Sequence, residues 1–263
     1  MKDEIWHWDG SLLKKSPKDA LEQLIKADTA NYYKATAELS ETLELLDRAI
    51  ALYIEALQGA YRMIDEWRSK DKLRAAMAMA GSVLNYILLA RHSILLGYYP
   101  EARDLLRGCH ERITRCYLFH ADEEATKNFF AGQQIGQVIV DRKLRDLLGK
   151  DKSKEAIYSS LRDSYKSSSK VVHPNIESLV LRTLSPEGQD FKNRVGIDTV
   201  FGGVMSSNYG ETVILPAIST IRFALKVIGA VIVEGTGKWE GDRARIAQEA
   251  DILFERVKGE HTV

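Results

Sequence analysis

The chain has 263 residues and carries 37 basic and 37 acidic side chains, so its formal net charge is zero. Hydrophobic residues make up 45% and charged residues 28%, the balance of an ordinary globular protein, and a chain of this length can bury a core without disulfides or metal. Neutrality speaks against a protein whose main task is coating nucleic acid, although a local basic patch inside a neutral total keeps RNA open as a ligand.

The first residues, "MKDEIWHWDG", are acidic and aromatic and contain no apolar stretch of the secretory kind, so a cytoplasmic location is expected. From Leu39 the apolar positions run Leu39, Leu43, Leu46, Ile50, Tyr53, Leu57, Ala60, Ile64, Trp67. These gaps alternate between four and three, the spacing that keeps one helical seam facing a neighbour. Ala49, Ile54, Ala56, Tyr61 and Met63 widen the seam to that of a bundle. One helix is predicted from near Asp28 or Thr29 to about Ser69. Residues 70–100 read as a second long helix ending near Gly97. Pro100 then opens a third, with Glu101 beside its positive end. Short connections make these helices antiparallel neighbours.

"DEEATKNFF" continues or restarts the third helix. Helices near 133–149 and 153–172 follow. Residues 185–211 hold five glycines and read as loop. The last two helices are predicted at 212–234 and 240–258, on either side of "GTGKWEGD". No β-period and no repeat appears. The predicted fold is all-α, a multi-helix bundle with a long antiparallel helical hairpin near the N-terminus. A single domain, 1–263, is expected, with a core bundle at 28–180, the loop-rich segment, and a C-terminal hairpin at 212–258.

Residues 213–233 are long enough to span a bilayer. Arg222 and Lys226 lie near the middle, each costing roughly 2.5–3.5 kcal/mol on insertion scales. The preferred reading is an amphipathic, largely buried helix, with no membrane partner. "GTGK" at 235–238 has Ile232 and Trp239 where a phosphate-binding loop needs Gly and Ser or Thr, so it reads as a helix–helix turn. Cys109 and Cys116 are seven residues apart on one helix, roughly 10 Å along its axis. A disulfide requires Cα atoms within about 7 Å, so both should be free, at least partly buried thiols in a reducing compartment. With His120 they share a face with Leu106, Ile113 and Tyr117, which favours core packing over metal ligation. No metal and no cofactor is expected.

"RCYLFH", Arg115 to His120, has the Arg-x4-His spacing of the helical HEPN superfamily and resembles it at these two positions. The resemblance implies a metal-independent endoribonuclease or toxin in which Arg115 and His120 act on the RNA phosphate and ribose. On a straight helix, residues five apart point roughly 140° from each other, so convergence requires a distorted helix or a second chain. A broader pattern covers residues 81 to about 180. Leu105, Leu106, Arg107 and Glu111, followed by Tyr165, Ser169, His173 and Pro174, resemble a group of uncharacterised prokaryotic helical proteins, some of them akin to HEPN proteins and to abortive-infection components of phage defence.

Proline disfavours the α conformation in the residue before it, so His173 should end a helix and place its ring at the negative helix end. Tyr165 and Ser169 share its face. If that helix packs against the third, they meet the Arg107–Glu111 pair. The candidate catalytic residues are therefore Arg107, Glu111, Tyr165, His173, Arg115 and His120, with a structural hydrogen-bonding network as the preferred reading of the same set. Three functions compete. The first is an interaction or regulatory protein, a homo-oligomer and most simply a homodimer, with a further protein partner open. The second is the HEPN-type ribonuclease. The third is a small-molecule sensor with a pocket near Arg222 and Lys226.

Overall fold

The computed structural model describes residues 16–148, 207–237 and 243–260. They form nine helices: α1 (Pro17–Glu38), α2 (Ser40–Arg62), α3 (Ile64–Trp67), α4 (Asp71–Leu95), α5 (Tyr99–Ala121), α6 (Glu123–Phe130), α7 (Gln137–Leu148), α8 (Ser207–Thr236) and α9 (Arg243–Glu260). No strand occurs among the described residues, and the fold is an all-α bundle.

The single helix predicted from residue 28 or 29 to 69 is three helices, preceded by ten or more helical residues that periodicity missed. Its true start is capped: the Ser16 hydroxyl accepts the Asp19 N–H at 3.3 Å, Pro17 occupies the first turn, and Asp19 sits at the positive end. The chain bends at Leu39 (φ −104°, ψ 16°) and at Met63 (φ −95°, ψ 19°), both 2% exposed. At the second bend the Trp67 indole N–H donates to the Ala60 carbonyl at 2.8 Å. A continuing helix would have offered that carbonyl to the Ile64 N–H. The tertiary bond and the buried Met63 therefore break the helix, and Ile64, placed in the seam by its spacing, is exposed instead.

The α4–α5 hairpin closes through a left-handed glycine. Gly97 has φ +82°, its N–H bonds to the Ile94 carbonyl at 3.1 Å, and the Tyr98 N–H reaches back to the Ser93 carbonyl at 2.8 Å. This pair of bonds satisfies the carbonyls at the end of α4 and reverses the chain. Tyr86 lies against Gly108, while one turn deeper Ser82 meets Arg112, the stepping of antiparallel helices. The Arg112 guanidinium stacks on the Tyr86 ring, 3.6 Å from its centroid, and donates Nε–H to Ser82 Oγ at 2.8 Å. A Cβ on Gly108 would lie 2.6 Å from a Tyr86 ring carbon. Gly108→Ala must displace that ring and is expected to cost about 1–3 kcal/mol, read as a lowered denaturant midpoint. An unchanged midpoint would show that Tyr86 relaxes freely.

The main core joins α1, α2, α4, α5, α8 and α9. The seam of α2 is spent inside the chain: Leu43, Leu46, Ile50, Tyr53, Leu57 and Ala60 are buried against this core. So are Leu45, Ala49, Leu52 and Ala56 on its flanks. Its chief neighbour is α8, whose Val213, Ile214, Ala217, Ile218, Ile221, Ala224, Ile228 and Val231 are buried. A smaller core of Ala75, Leu118, Phe119, Ala125, Val140 and Leu144 fixes α6 and α7 against the hairpin. There Asp122 caps α6 by accepting the Ala125 N–H at 3.0 Å, and Lys143 of α7 donates to the same carboxylate at 2.7 Å.

Two helices, Asp71–Leu95 and Val213–Thr236, are long and apolar enough by composition to cross a membrane. In α8, 61% of that apolar window is buried inside the bundle, and Arg222 and Lys226 pair with Asp251 of α9. The outward face of α1 is the reverse of a normal amphipathic helix. Ala27 and Ala35 point inward, while Leu21, Ile25 and Tyr33 are 58%, 55% and 70% exposed.

Candidate functional site

Arg107, Glu111 and Arg115 follow one another at four-residue intervals, which stacks their side chains along one face of α5. Arg107 Nε is 3.4 Å and Arg115 Nη1 3.8 Å from the Glu111 carboxylate. All three are about three-quarters buried. The second guanidinium is committed further. Arg115 Nη1 donates to the Glu111 carbonyl at 2.9 Å and to Gln137 Oε1 at 2.8 Å, and Nη2 donates to the Ile135 carbonyl at 3.1 Å. Gln137 in turn donates to Thr114 Oγ1 at 3.2 Å and to Asp141 at 2.9 Å. Arg115 thereby ties the turn before α7 to α5. Its planar fork suits this role, because it offers several donors in fixed directions.

His120 leaves α5 elsewhere. Its Nε2 lies 3.1 Å from Glu234 Oε2 on α8, and its ring meets Tyr117 edge-on, with centroids 6.5 Å apart. At the next residue after Glu234, the Lys70 ammonium donates to the Gly235 carbonyl at 2.8 Å, and Gly237 (φ +78°) turns the chain at the end of α8. The start of "GTGK" is thus the end of a helix. Among the described residues Arg115 reaches α7 and the turn before it, whereas His120 reaches α8, so the two candidates take separate partners. Arg107, Glu111 and Arg115 are brought together. Tyr165, Ser169, His173 and Pro174, and the helix predicted at 153–172, lie outside the described residues.

Cys109 and Cys116 are free and buried. Burial pushes both thiols up to about 12, so neither supplies a thiolate nucleophile at neutral pH. They flank Tyr53, whose hydroxyl donates to the Ala80 carbonyl at 2.9 Å and whose pKa burial raises well above the ordinary value. Among the described residues no group of three or more His, Cys, Asp or Glu is placed to hold a metal ion. Arg222, proposed from sequence as part of a sensor site, pairs with Asp251 and lies 4.7 Å from the Phe254 ring centroid. Sequence reasoning missed His110, 3% exposed, whose Nε2 lies 3.1 Å from Thr220 Oγ1 on α8. The available signal was a histidine and a threonine each inside an otherwise apolar stripe.

No family model, no curated protein and no solved structure matches the chain. Its functional reading therefore rests on side-chain geometry.

Proposed function

We propose that the protein acts by association, as a non-enzymatic interaction or regulatory protein. The observation that carries this reading is the commitment of Arg115 and His120 to separate packing roles. Arg115 spends its donors on Glu111, Gln137 and Ile135, and His120 is held by Glu234. A ribonuclease pair needs both groups within hydrogen-bonding reach of one phosphate. The prokaryotic defence role suggested by the resemblance is compatible with association and forms part of the proposal. So does a cytoplasmic homodimer, for which zero net charge imposes no repulsion between copies.

The surface this reading uses is the outer stripe of α1, Leu21, Ile25 and Tyr33, with a second copy as the partner. Ile25→Glu is expected to halve the mass in solution and leave the melting temperature of the folded chain nearly unchanged. A wild-type monomer would remove the homodimer. Arg115→Ala separates the two roles of the arginine. As a packing residue it leaves the Ile135 carbonyl and Gln137 underbonded and costs about 1–3 kcal/mol, loosening α7 first. A variant of unchanged melting temperature would show that Arg115 holds nothing together and return it to the HEPN-type reading.

A further inference from the structure

The association reading places a second copy on the outer stripe of α1, and the register in which two copies meet there rests on that reading. Leu21, Ile25, Thr29, Tyr32 and Thr36 follow one another at gaps of four, four, three and four, and all five are exposed. This spacing keeps them on one side of the helix. The Thr29 hydroxyl donates to the Ile25 carbonyl at 2.9 Å, and the Thr36 hydroxyl to the Tyr32 carbonyl at 2.7 Å. Each threonine thus spends its polar group on the helix's own backbone and adds a methyl to the stripe. The opposite side of α1 is fixed to the bundle. Ala27 and Ala35 are buried, Tyr98 donates to Asp28 at 2.6 Å, and Asn31 donates to the Leu96 carbonyl at 3.2 Å.

Lys18, Glu22 and Lys26 run along one flank of the stripe, all exposed. A two-fold interface sets one patch against the same patch turned round. In a parallel pair, Glu22 meets the partner's Glu22 and Lys26 meets the partner's Lys26, like on like. In an antiparallel pair the flank meets itself in reverse order. A two-fold midway between Glu22 and Lys26 sets Glu22 level with the partner's Lys26, and Lys26 level with the partner's Glu22. A helix rises about 1.5 Å per residue. The same placement therefore sets Leu21, the partner's Ile25, Ile25 and the partner's Leu21 in succession, about 3 Å apart along the axis, interleaved and not opposed. Lys18 falls between the partner's Thr29 and the partner's Tyr32, whose ring face suits a cation. Charge and shape select the same register.

We propose that two copies pair through α1 in an antiparallel arrangement, with Leu21 and Ile25 interleaved across a two-fold and Glu22 of each copy paired with the partner's Lys26. A standard interface takes about 20–30 residues a side. One helical stripe is much smaller, so the dimer is reversible and its share grows with concentration. The paired charges are exposed and act mainly on register and choice of partner.

The test reads the mass of the full-length chain by sedimentation at low ionic strength, where exposed charges are least screened. The wild type is expected to sediment as a dimer at high concentration. Glu22→Lys sets a cation against the partner's Lys26 on both sides of the two-fold, and Lys26→Glu sets an anion against the partner's Glu22. Each variant alone is expected to sediment as a single chain with its helical signal intact. An equimolar mixture of the two is expected to recover the mass of two chains, because a cationic flank then meets an anionic one. Effects confined to one helix cannot produce that recovery. Single variants that stay dimeric, as a parallel pair would, or a mixture that stays monomeric, overturn the register. If Ile25→Glu still dissociates such a dimer, the α1 surface stands and the antiparallel arrangement alone fails. A wild type that is a single chain at every concentration overturns the pairing and the homodimer together.

Discussion

Leu46→Asp should leave little folded protein. Leu46 is 1% exposed in the middle of α2, inside the core shared with α8 and α4. Removing the leucine side chain alone costs about 2–5 kcal/mol. The aspartate adds a carboxylate that must be buried unpaired or neutralised by a raised pKa. Together these approach the roughly 5–15 kcal/mol that holds a domain folded. The sequence allowed two outcomes for this change, unfolding or dissociation of a dimer through the α2 seam. The structure assigns the seam to intrachain packing, so loss of the chain's own helical signal is expected. A folded monomer in place of a folded dimer would show that the α2 seam faces a second copy.

The next largest effect is expected at Trp67. It is 4% exposed, stacks edge-on against Tyr61 with ring centroids 5.6 Å apart, and donates its indole N–H to the Ala60 carbonyl. Trp67→Ala removes about 3–5 kcal/mol of packing and leaves that carbonyl with the Met63 N–H at 3.2 Å as its remaining donor, so the bend at Met63 loses its side-chain support. Trp67→Phe weighs the two contributions, because it keeps a six-membered ring while losing the donor, at about 1–3 kcal/mol, and the smaller part of the packing. Chemical denaturation of both variants checks the order. An unchanged midpoint for Trp67→Phe would mean that the hydrogen bond, and with it the account of the bend, contributes nothing.

These two residues show what sequence could and could not convey. The seam that contains Leu46 was legible because its period depends only on which positions turn inward. The stop at Gly97 and the start at Pro100 were legible because backbone chemistry dictates them locally. The bends at Leu39 and Met63 were not, since Met63 bends around a bond to a residue four places on and both bends are fixed by burial in the assembled core. α1 escaped because Leu21, Ile25 and Tyr33 face outward, while the buried apolar positions among its described side chains are the alanines Ala27 and Ala35. The helical span of α8 was visible, yet its position against α2, α4 and α5 was not, because a helix apolar on most sides does not announce which neighbour it meets. At the site, the Arg107–Glu111 pair followed from i,i+4 spacing. The partners of Arg115 and His120 come from α7, the turn before it, and α8, and no local pattern announces them.

The central claim, that Arg115 and His120 are packing residues of a protein that acts by association, is tested most directly by incubating the wild-type chain with single-stranded RNA in a metal chelator. Arg115→Ala and His120→Ala are run beside it, with melting temperatures measured on the same samples. The account predicts no cleavage by the wild type and lowered melting temperatures for both variants. Cleavage by the wild type that either variant abolishes at unchanged melting temperature would contradict it.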